Sequence, residues 1–161
     1  LYGKSKIVGE LPARNKHIIR SSIIGPEHGT GRSLLNWFLK NESTEVSGFK
    51  NHLWNGVTTL NFAKVIHGLI LNQSYSTGLQ HLITSDKVTK ADLLRFFKIY
   101  FDKEIKINEV NAENIIDRTL NTINNKNNEQ LWLDAGYNKV PSVEENIAEL
   151  SESEFTKMII K

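Results

Sequence analysis

The chain has 161 residues, a formal net charge of +2 and no cysteine. That length suffices for one domain with a core, or for a large part of a bigger protein. The interspersed charges offer no basic block for nucleic acid, and the absence of thiols excludes disulfides and fits a reducing compartment such as the cytoplasm. No apolar run is long enough to span a bilayer, and the scattered histidines predict no metal site.

The N-terminal residues predict a helix over 3–11. Pro12 ends it, because a proline inside a helix removes a hydrogen bond and clashes with the preceding turn. Tyr2 and Lys6 stand four residues apart, a spacing that places both side chains on one helix face. A phenol beside an ammonium has a lowered pKa, because the positive charge favours the phenolate. On the spacing alone, a surface helix pair without a catalytic role is the preferred interpretation.

The rest of the chain alternates between strand and helix patterns. Residues 17–24 are rich in β-branched side chains and are closed by Gly25 and Pro26, which predicts a buried strand of a parallel sheet. Further predicted strands cover residues 45–49, 79–84 and 105–110, and predicted helices cover 33–40, 60–71, 90–101 and the residues after 142. Residues 51–59 are predicted as a loop and 111–130 as a loop with one helical turn, and the last residues are expected to fray. This alternation predicts an α/β fold.

Hydroxyl side chains mark the predicted helix starts. The candidate N-caps are Thr58 or Thr59, then Thr89 with Asp92 three residues later, and Ser142 with Glu145. The last two pairs are capping boxes, in which side chain and backbone satisfy each other's hydrogen bonds at the helix start.

The string Tyr2-Gly-Lys-Ser-Lys6, followed by a strand that ends Arg20-Ser-Ser-Ile-Ile-Gly25-Pro26, resembles a family. It is similar to the extended short-chain dehydrogenase/reductase superfamily, in the branch that acts on nucleotide sugars. The segment from Trp54 to Lys64 and the strand from Leu79 to Thr84 resemble the dTDP-4-dehydrorhamnose reductase-like members.

The resemblance implies the C-terminal half of such a protein: the end of an NAD(P)-binding Rossmann fold plus a small α/β substrate-binding lobe. It assigns residues 1–26 and about 57–86 to the Rossmann lobe, and about 27–56 and 87–161 to the substrate-binding lobe. The glycine-rich turn for the pyrophosphate and the Ser or Thr that precedes the family's tyrosine are not in the sequence. Both are expected before residue 1, so the isolated chain is expected to be inactive or nearly so.

The resemblance also implies roles for individual residues. Tyr2 would be the proton donor, and Lys6 would lower its pKa and hydrogen-bond the nicotinamide ribose. Ser22 and Ile23, at the end of the strand, would lie nearest the nicotinamide or the substrate. Three further residues would contact the substrate: Arg32, Trp54 and Arg118. Arg32 as an exposed loop residue, Trp54 in the core and Arg118 on the surface remain alternatives.

The implied function is the NADPH- or NADH-dependent reduction of a nucleotide-linked 4-keto-deoxysugar in surface polysaccharide biosynthesis. A nucleotide-sugar 4-epimerase or dehydratase with tightly bound NAD is one alternative, and a non-catalytic sugar-nucleotide-binding subunit is another. The expected partner is a nucleotide sugar, with no nucleic acid and no membrane, and the resemblance allows a homodimer. A hydrolase is excluded because Ser21 and Ser22 lack a Gly-x-Ser-x-Gly turn.

Overall fold

The computed structural model describes residues 7–8, 10, 16–27 and 33–160. Three predicted site residues, Tyr2, Lys6 and Arg32, lie outside the described residues. Most of the helix predicted over 3–11 also lies outside them, although residues 7 and 8 are helical.

Residues 16–27 and 33–160 form nine strands and six helices, in which groups of two or three strands alternate with single helices until three helices follow one another at the end. The strands are His17–Arg20 (β1), Ile23–Ile24 (β2), Glu45–Phe49 (β3), His52–Trp54 (β4), Val57–Thr58 (β5), Gly78–His81 (β6), Val88–Thr89 (β7), Lys106–Val110 (β8) and Ile116–Asp117 (β9). The helices are Leu34–Lys40 (α1), Thr59–Asn72 (α2), Lys90–Tyr100 (α3), Asn125–Asp134 (α4), Val143–Glu152 (α5) and Glu154–Ile160 (α6).

Strand pairing is mainly parallel. β1 pairs with β6, β2 with β5, β3 with β8 and β4 with β9, all in parallel, while β7 lies antiparallel to β4. The predicted α/β class is therefore confirmed. Parallel pairs place the carboxyl ends of neighbouring strands at one edge, which is where open α/β sheets bind ligands.

Several predicted elements are confirmed within one to three residues. The strand over 45–49 has the predicted bounds. The bounds of five other elements differ from the prediction by no more than three residues: the helices predicted at 33–40, 60–71 and 90–101 and the strands predicted at 79–84 and 105–110. Thr58, Thr89 and Ser142 are N-caps, the last two in complete capping boxes. The prediction of fraying after the last capped helix was wrong, because residues 154–160 form α6, packed on α5.

The single strand predicted over 17–24 is two short strands. Ser21 and Ser22 separate them: the Ser21 hydroxyl donates to the carbonyl of Leu82 at 2.9 Å, and the Ser22 carbonyl accepts from the Val57 N–H at 2.9 Å. The chain therefore leaves its first partner, β6, and continues beside a second one, β5. This switch brings Ser22 to the edge where the candidate site lies.

The loops predicted over 51–59 and 111–130 also contain regular structure. The first holds β4 and β5, and the second holds β9 and the start of α4. β9 is parallel to β4 and lies more than sixty residues further along the chain. Such a pairing leaves no signal in a local window, so periodicity could not predict it.

Two asparagines hold the segment of β9 beside that of β4. The Asn51 side chain donates to the carbonyl of Ala112 at 2.7 Å and accepts from its N–H at 2.9 Å. The Asn55 side chain does the same with Leu120, at 2.8 Å in both directions. Each amide thus replaces a pair of backbone bonds, which keeps the polar backbone of an irregular segment satisfied.

The core consists of two clusters of buried apolar side chains. The first lies around α3 and α5 and contains Leu35, Phe38, Trp54, Leu94, Phe97 and Ile147. The second lies between α2 and α4 and contains Val57, Val65, Leu69, Leu82, Leu131 and Trp132. A buried polar group, Asn61 of α2, links them by donating to Tyr137 at 2.7 Å and to Glu149 of α5 at 2.6 Å. Among the described residues, no helix combines the length and apolarity that crossing a bilayer requires.

Asp92→Asn is expected to flatten the acid limb of the stability profile. The Asp92 carboxylate accepts hydrogen bonds from the N–H and the hydroxyl of Thr89 at 2.8 and 2.7 Å. Partial burial raises the pKa of Asp92, but these bonds and the Arg95 charge outweigh it, so the net pKa lies below its ordinary value. A carboxyl with a depressed folded-state pKa stabilises the fold above its unfolded pKa, and this contribution is lost as the pH falls through the folded pKa.

The measurement is the free energy of unfolding in urea at a series of pH values from about 6 down to about 2, the range that spans an aspartate titration. The loss of stability with falling pH should be smaller in the variant than in the wild type. Asp102→Asn is the control, because Asp102 is exposed and Asn tolerates its positive φ of 50°. Identical acid limbs for wild type and Asp92→Asn would contradict the prediction.

Candidate functional site

One groove of about 640 Å³ collects the predicted site residues that the structure describes. It is lined by Ser22, Ile23, Trp54 and Arg118, together with residues from the starts of α1 and α3. Tyr2, Lys6 and Arg32 lie outside the described residues, so the structure does not test their place. Residues separated by almost a hundred positions in sequence therefore meet around one concave surface.

A hydrogen bond joins two of these residues. The indole Nε1 of Trp54 donates to the hydroxyl of Ser22 at 2.7 Å. Trp54 is only 7% exposed and belongs to the first core cluster, so its ring is part of the groove wall and of the core at once. A buried indole N–H needs an acceptor, and Ser22 provides it. The ring is consequently fixed in the wall.

The segment from Ser22 to Ile24 follows the carboxyl end of β1, which pairs in parallel with β6. Ile23 is 45% exposed and offers an apolar surface to the groove. Gly56 packs against this segment so closely that a Cβ there would stand 1.9 Å from the Ser22 carbonyl oxygen. The site thus depends on a close approach of two backbone segments that only glycine permits.

Sequence reasoning missed Lys90, the first residue of α3. Its ammonium lies 4.9 Å from the ring centroid of Phe49 and 5.5 Å from that of Trp37, and the residue lines the groove. Partial burial, and then the charge of Arg118, lower the pKa of Lys90. One signal was present in the sequence: a cation directly after the N-cap Thr89 opposes the helix dipole and is therefore unusual.

Arg118 reaches the groove through the β4–β9 pairing. Its backbone N–H donates to the carbonyl of Leu53 at 3.0 Å, directly after β9. Two cations, Lys90 and Arg118, therefore face one groove. Within the part of the chain that the structure describes, neither forms an ion pair with a carboxylate.

Two other ionisable residues line the groove. Glu27 is exposed, and its carboxylate accepts from the N–H of Ser33 at 2.8 Å. His52 contacts the carbonyl of Asn114 at 3.1 Å through Nε2, and its ring lies 4.7 Å from that of Phe49. No cluster of three or more potential metal-ligating side chains occurs among residues 7–8, 10, 16–27 and 33–160.

A second groove, of about 710 Å³, lies between α3 and β8 and holds none of the predicted site residues. Its Arg95 already pairs with Asp92 and Glu109. Its Lys106 pairs with Glu45, so two of its three cations have carboxylate partners, whereas neither cation of the first groove has one among the described residues. The first groove is therefore the better candidate for a ligand site.

Comparison with known proteins gives similarity at the level of structure. No known protein-family profile and no curated protein sequence matches the chain. A dTDP-4-dehydrorhamnose reductase from Bacillus anthracis in complex with NADP is 17% identical with a TM-score of 0.64, over 92% of this chain and 52% of that one. The reductase of the same name from Yersinia enterocolitica is 18% identical with a TM-score of 0.63, over 93% of this chain and 55% of that one. UDP-glucose 4-epimerase from Thermotoga maritima, with UDP-glucose, is 17% identical with a TM-score of 0.53, over 87% of this chain and 45% of that one.

These similarities confirm the predicted resemblance as a matter of fold. The chain has the fold of about half of each of these reductases and of the epimerase, and it spans about half the length of the solved structures that it matches. Sequence identities below one fifth support a similarity of fold only. The function therefore has to be argued from the residues of the site.

Proposed function

We propose that a protein containing this chain reduces a nucleotide-linked 4-keto-deoxysugar with NADPH or NADH, in the manner of a dTDP-4-dehydrorhamnose reductase, for surface polysaccharide biosynthesis. The observation that carries the proposal is the convergence of Ser22, Ile23, Trp54 and Arg118 on one groove. Residues 1–26 and about 57–86 would belong to the cofactor lobe, and 27–56 and 87–161 to the substrate lobe.

The groove would hold the nicotinamide ring of the cofactor and the sugar. Ser22 and Ile23 follow β1 at the carboxyl end of a parallel pair, where α/β sheets hold their ligands. The exposed Ile23 gives a ring an apolar surface, while Ser22 is held in place by the Trp54 indole. A bound NADPH or NADH supplies the hydride that reduces the sugar ketone.

The proton for the reduced oxygen would come from Tyr2. Its hydroxyl would donate to the sugar oxygen as hydride arrives at the adjoining carbon. Free tyrosine titrates near pH ~10, and the nearby Lys6 would lower that pKa toward the working pH. Trp54 would bound the sugar on one side, Arg118 would contact the anionic part of the substrate, and Arg32 is a further proposed substrate contact.

A second candidate function is a 4-epimerase or dehydratase with tightly held NAD. The structural similarity to UDP-glucose 4-epimerase is the observation that favours it. Both functions would use the same Tyr2 and Lys6, but an epimerase would return the hydride to its substrate and keep its cofactor. A non-catalytic subunit would bind the sugar nucleotide in the groove without catalysing a reaction.

The test uses the full-length protein that contains this chain. NADPH oxidation is followed with dTDP-4-keto-6-deoxyhexose as substrate, and the denatured protein is analysed for co-purified NAD. We expect turnover with free exchange of NADPH, and no tightly bound cofactor. NAD that survives purification, together with 4-epimerisation or 4,6-dehydration of a nucleotide sugar, would replace the reductase by the second candidate. Sugar-nucleotide binding without any turnover would leave only the non-catalytic subunit.

A further inference from the structure

A small cavity of about 260 Å³ lies beside β6 and shares no lining residue with the groove of the candidate site. Its wall consists of Leu79, Gln80 and His81 of β6 and of residues 121–124, which lead into α4. None of these seven described residues is acidic. The cavity is therefore a separate place, with its own chemistry.

Gln80 brings an amide without an acceptor to this wall. The backbone N–H groups of Gly78 and Leu82 donate to carbonyls on the β1 side at 3.0 Å, so the alternation of the ladder turns the backbone of Gln80 toward β1 as well. Gln80 consequently lines the cavity with its side chain. The residue is only 8% exposed, and its Nε2 has no hydrogen-bond acceptor in the part of the chain that the structure describes. Because a buried donor without an acceptor is costly, this amide indicates a ligand.

His81 has the opposite need. Its Nδ1 lies 2.6 Å from the carbonyl oxygen of Asn121. A carbonyl can only accept, so the proton of the neutral ring is on Nδ1, and Nε2 carries a lone pair. Nε2 is buried, and no described residue donates to it. The neutral ring therefore requires a donor from the ligand.

The start of α4 supplies further donors. The side chain of its N-cap, Asn124, makes no capping hydrogen bond, and the first turn holds no acidic residue. The first N–H groups of the helix are thus open to an acceptor, and the helix dipole favours a negative charge there. Lys126 in the same turn adds a positive charge.

Hydrogen bonds fix the wall in place. The Asn128 side chain accepts from the N–H of Ile83 at 3.0 Å and donates to its carbonyl at 3.2 Å, which ties α4 to the end of β6. The carboxylate of Glu10, whose pKa responds first to Arg20 and last to His81, is engaged by Arg20 at 3.0 Å. The cavity is therefore preorganised, and its one neighbouring carboxylate among the described residues that affect His81 is already paired.

We propose that this cavity binds inorganic phosphate as the hydrogen phosphate ion. The phosphate oxygens accept from the Gln80 amide and from the N–H groups at the start of α4, and the phosphate O–H donates to Nε2 of His81. Sulfate has a similar shape and charge but no O–H group, and a phosphate monoester has lost its second proton at a pH well above about 6. The site therefore selects inorganic phosphate over both. This inference does not depend on the proposed function.

The experiment is isothermal titration of the full-length protein with phosphate, sulfate and methyl phosphate at about pH 8, where an ordinary histidine ring is neutral. Phosphate should bind at least about tenfold more tightly than the other two anions, as expected for one further hydrogen bond. Gln80→Glu keeps the shape of the side chain and sets a carboxylate against the anion, so it should abolish phosphate binding. His81→Phe should remove most of the preference for phosphate over sulfate.

Gln80→Leu provides a variant that does not introduce a charge. It removes a buried donor without an acceptor, so it should raise the thermal midpoint of unfolding in phosphate-free buffer. Phosphate should stabilise the wild type against heat and should not stabilise this variant. Gln130→Leu is the matched control: Gln130 lies on α4, is exposed and does not line the cavity, so this variant should bind phosphate like the wild type.

Three outcomes would overturn the inference: no saturable binding of phosphate, equal wild-type affinity for phosphate and sulfate, and phosphate binding that Gln80→Glu leaves intact. The last result would place the anion elsewhere, for example at the cations of the first groove. Because the two sites share no lining residue, reductase turnover and phosphate binding can each be present without the other. Failure of one proposal is thus distinguishable from failure of the other.

Discussion

Tyr2→Phe in the full-length protein is expected to lower kcat by about 10²- to 10⁴-fold, the usual contribution of a positioned proton donor. Phenylalanine keeps the ring and removes only the hydroxyl. The alkoxide that forms on hydride arrival would then have to take its proton from water. Because the groove contacts of the nucleotide do not involve that hydroxyl in the proposal, dTDP affinity should stay within about twofold. The measurement pairs steady-state kinetics with titration of dTDP.

The matched control is Tyr75→Phe. Tyr75 is 60% exposed and does not line the groove, so its replacement should leave kcat unchanged. Equal kcat values for Tyr2→Phe and the wild type would remove Tyr2 from the chemistry. If the complete enzyme system that contains Tyr2→Phe still converts its substrate at the wild-type rate, the chain would be better explained as part of a non-catalytic subunit.

Gly56→Ala is expected to lower the free energy of unfolding by at least about 3 kcal/mol, the upper part of the range for forcing extra atoms into a packed site. The added Cβ would stand 1.9 Å from the Ser22 carbonyl oxygen and 2.5 Å from the Trp54 ring. That carbonyl accepts the hydrogen bond of Val57, which belongs to the β2–β5 pair. Relief therefore requires a backbone shift that breaks the pair or moves the groove wall.

Gly136→Ala is the matched control for this prediction. Gly136 has a φ of 89°, but a Cβ there would meet no atom within 4 Å. Its cost is therefore conformational alone, about 1–2 kcal/mol for a residue in the left-handed region. Urea denaturation of both variants separates the two mechanisms. Similar losses in both would show that the close approach at Gly56 is relieved without cost.

The sequence predicted correctly those helices and strands that are defined by side chains close together in the chain. The capping box at Thr89 and Asp92, the strand over 45–49 and the helix that begins after Ser33 follow from side chains within a few residues of one another. The division of 17–24 into two strands could not be predicted in this way. It depends on bonds from Ser21 and Ser22 to partners far along the chain.

The same distinction explains what was predicted of the site. Ser22, Trp54 and Arg118 came from the resemblance to a family, and the structure brings them to one groove. Lys90 was missed because its environment is built from α1, β3 and the segment after β9. No pattern in the sequence around Lys90 reports those neighbours. Tyr2 and Lys6 stay predictions, since they lie outside the described residues.

The amide of Asn55 also bears on how this protein ages. Asn55 precedes Gly56, and asparagine followed by glycine is the dipeptide that most readily cyclises and deamidates to aspartate. In the folded chain the amide is 93% shielded, since Asn55 is 7% exposed, and two hydrogen bonds to Leu120 hold it. Once the chain unfolds, nothing restrains it. The aspartate that results can still accept from the Leu120 N–H but cannot donate to its carbonyl, so each molecule that reacts loses one of the two hydrogen bonds between Asn55 and Leu120. The fraction of chains deamidated at Asn55 therefore increases with the time that the protein spends unfolded, and the recovery of native protein declines as that fraction rises.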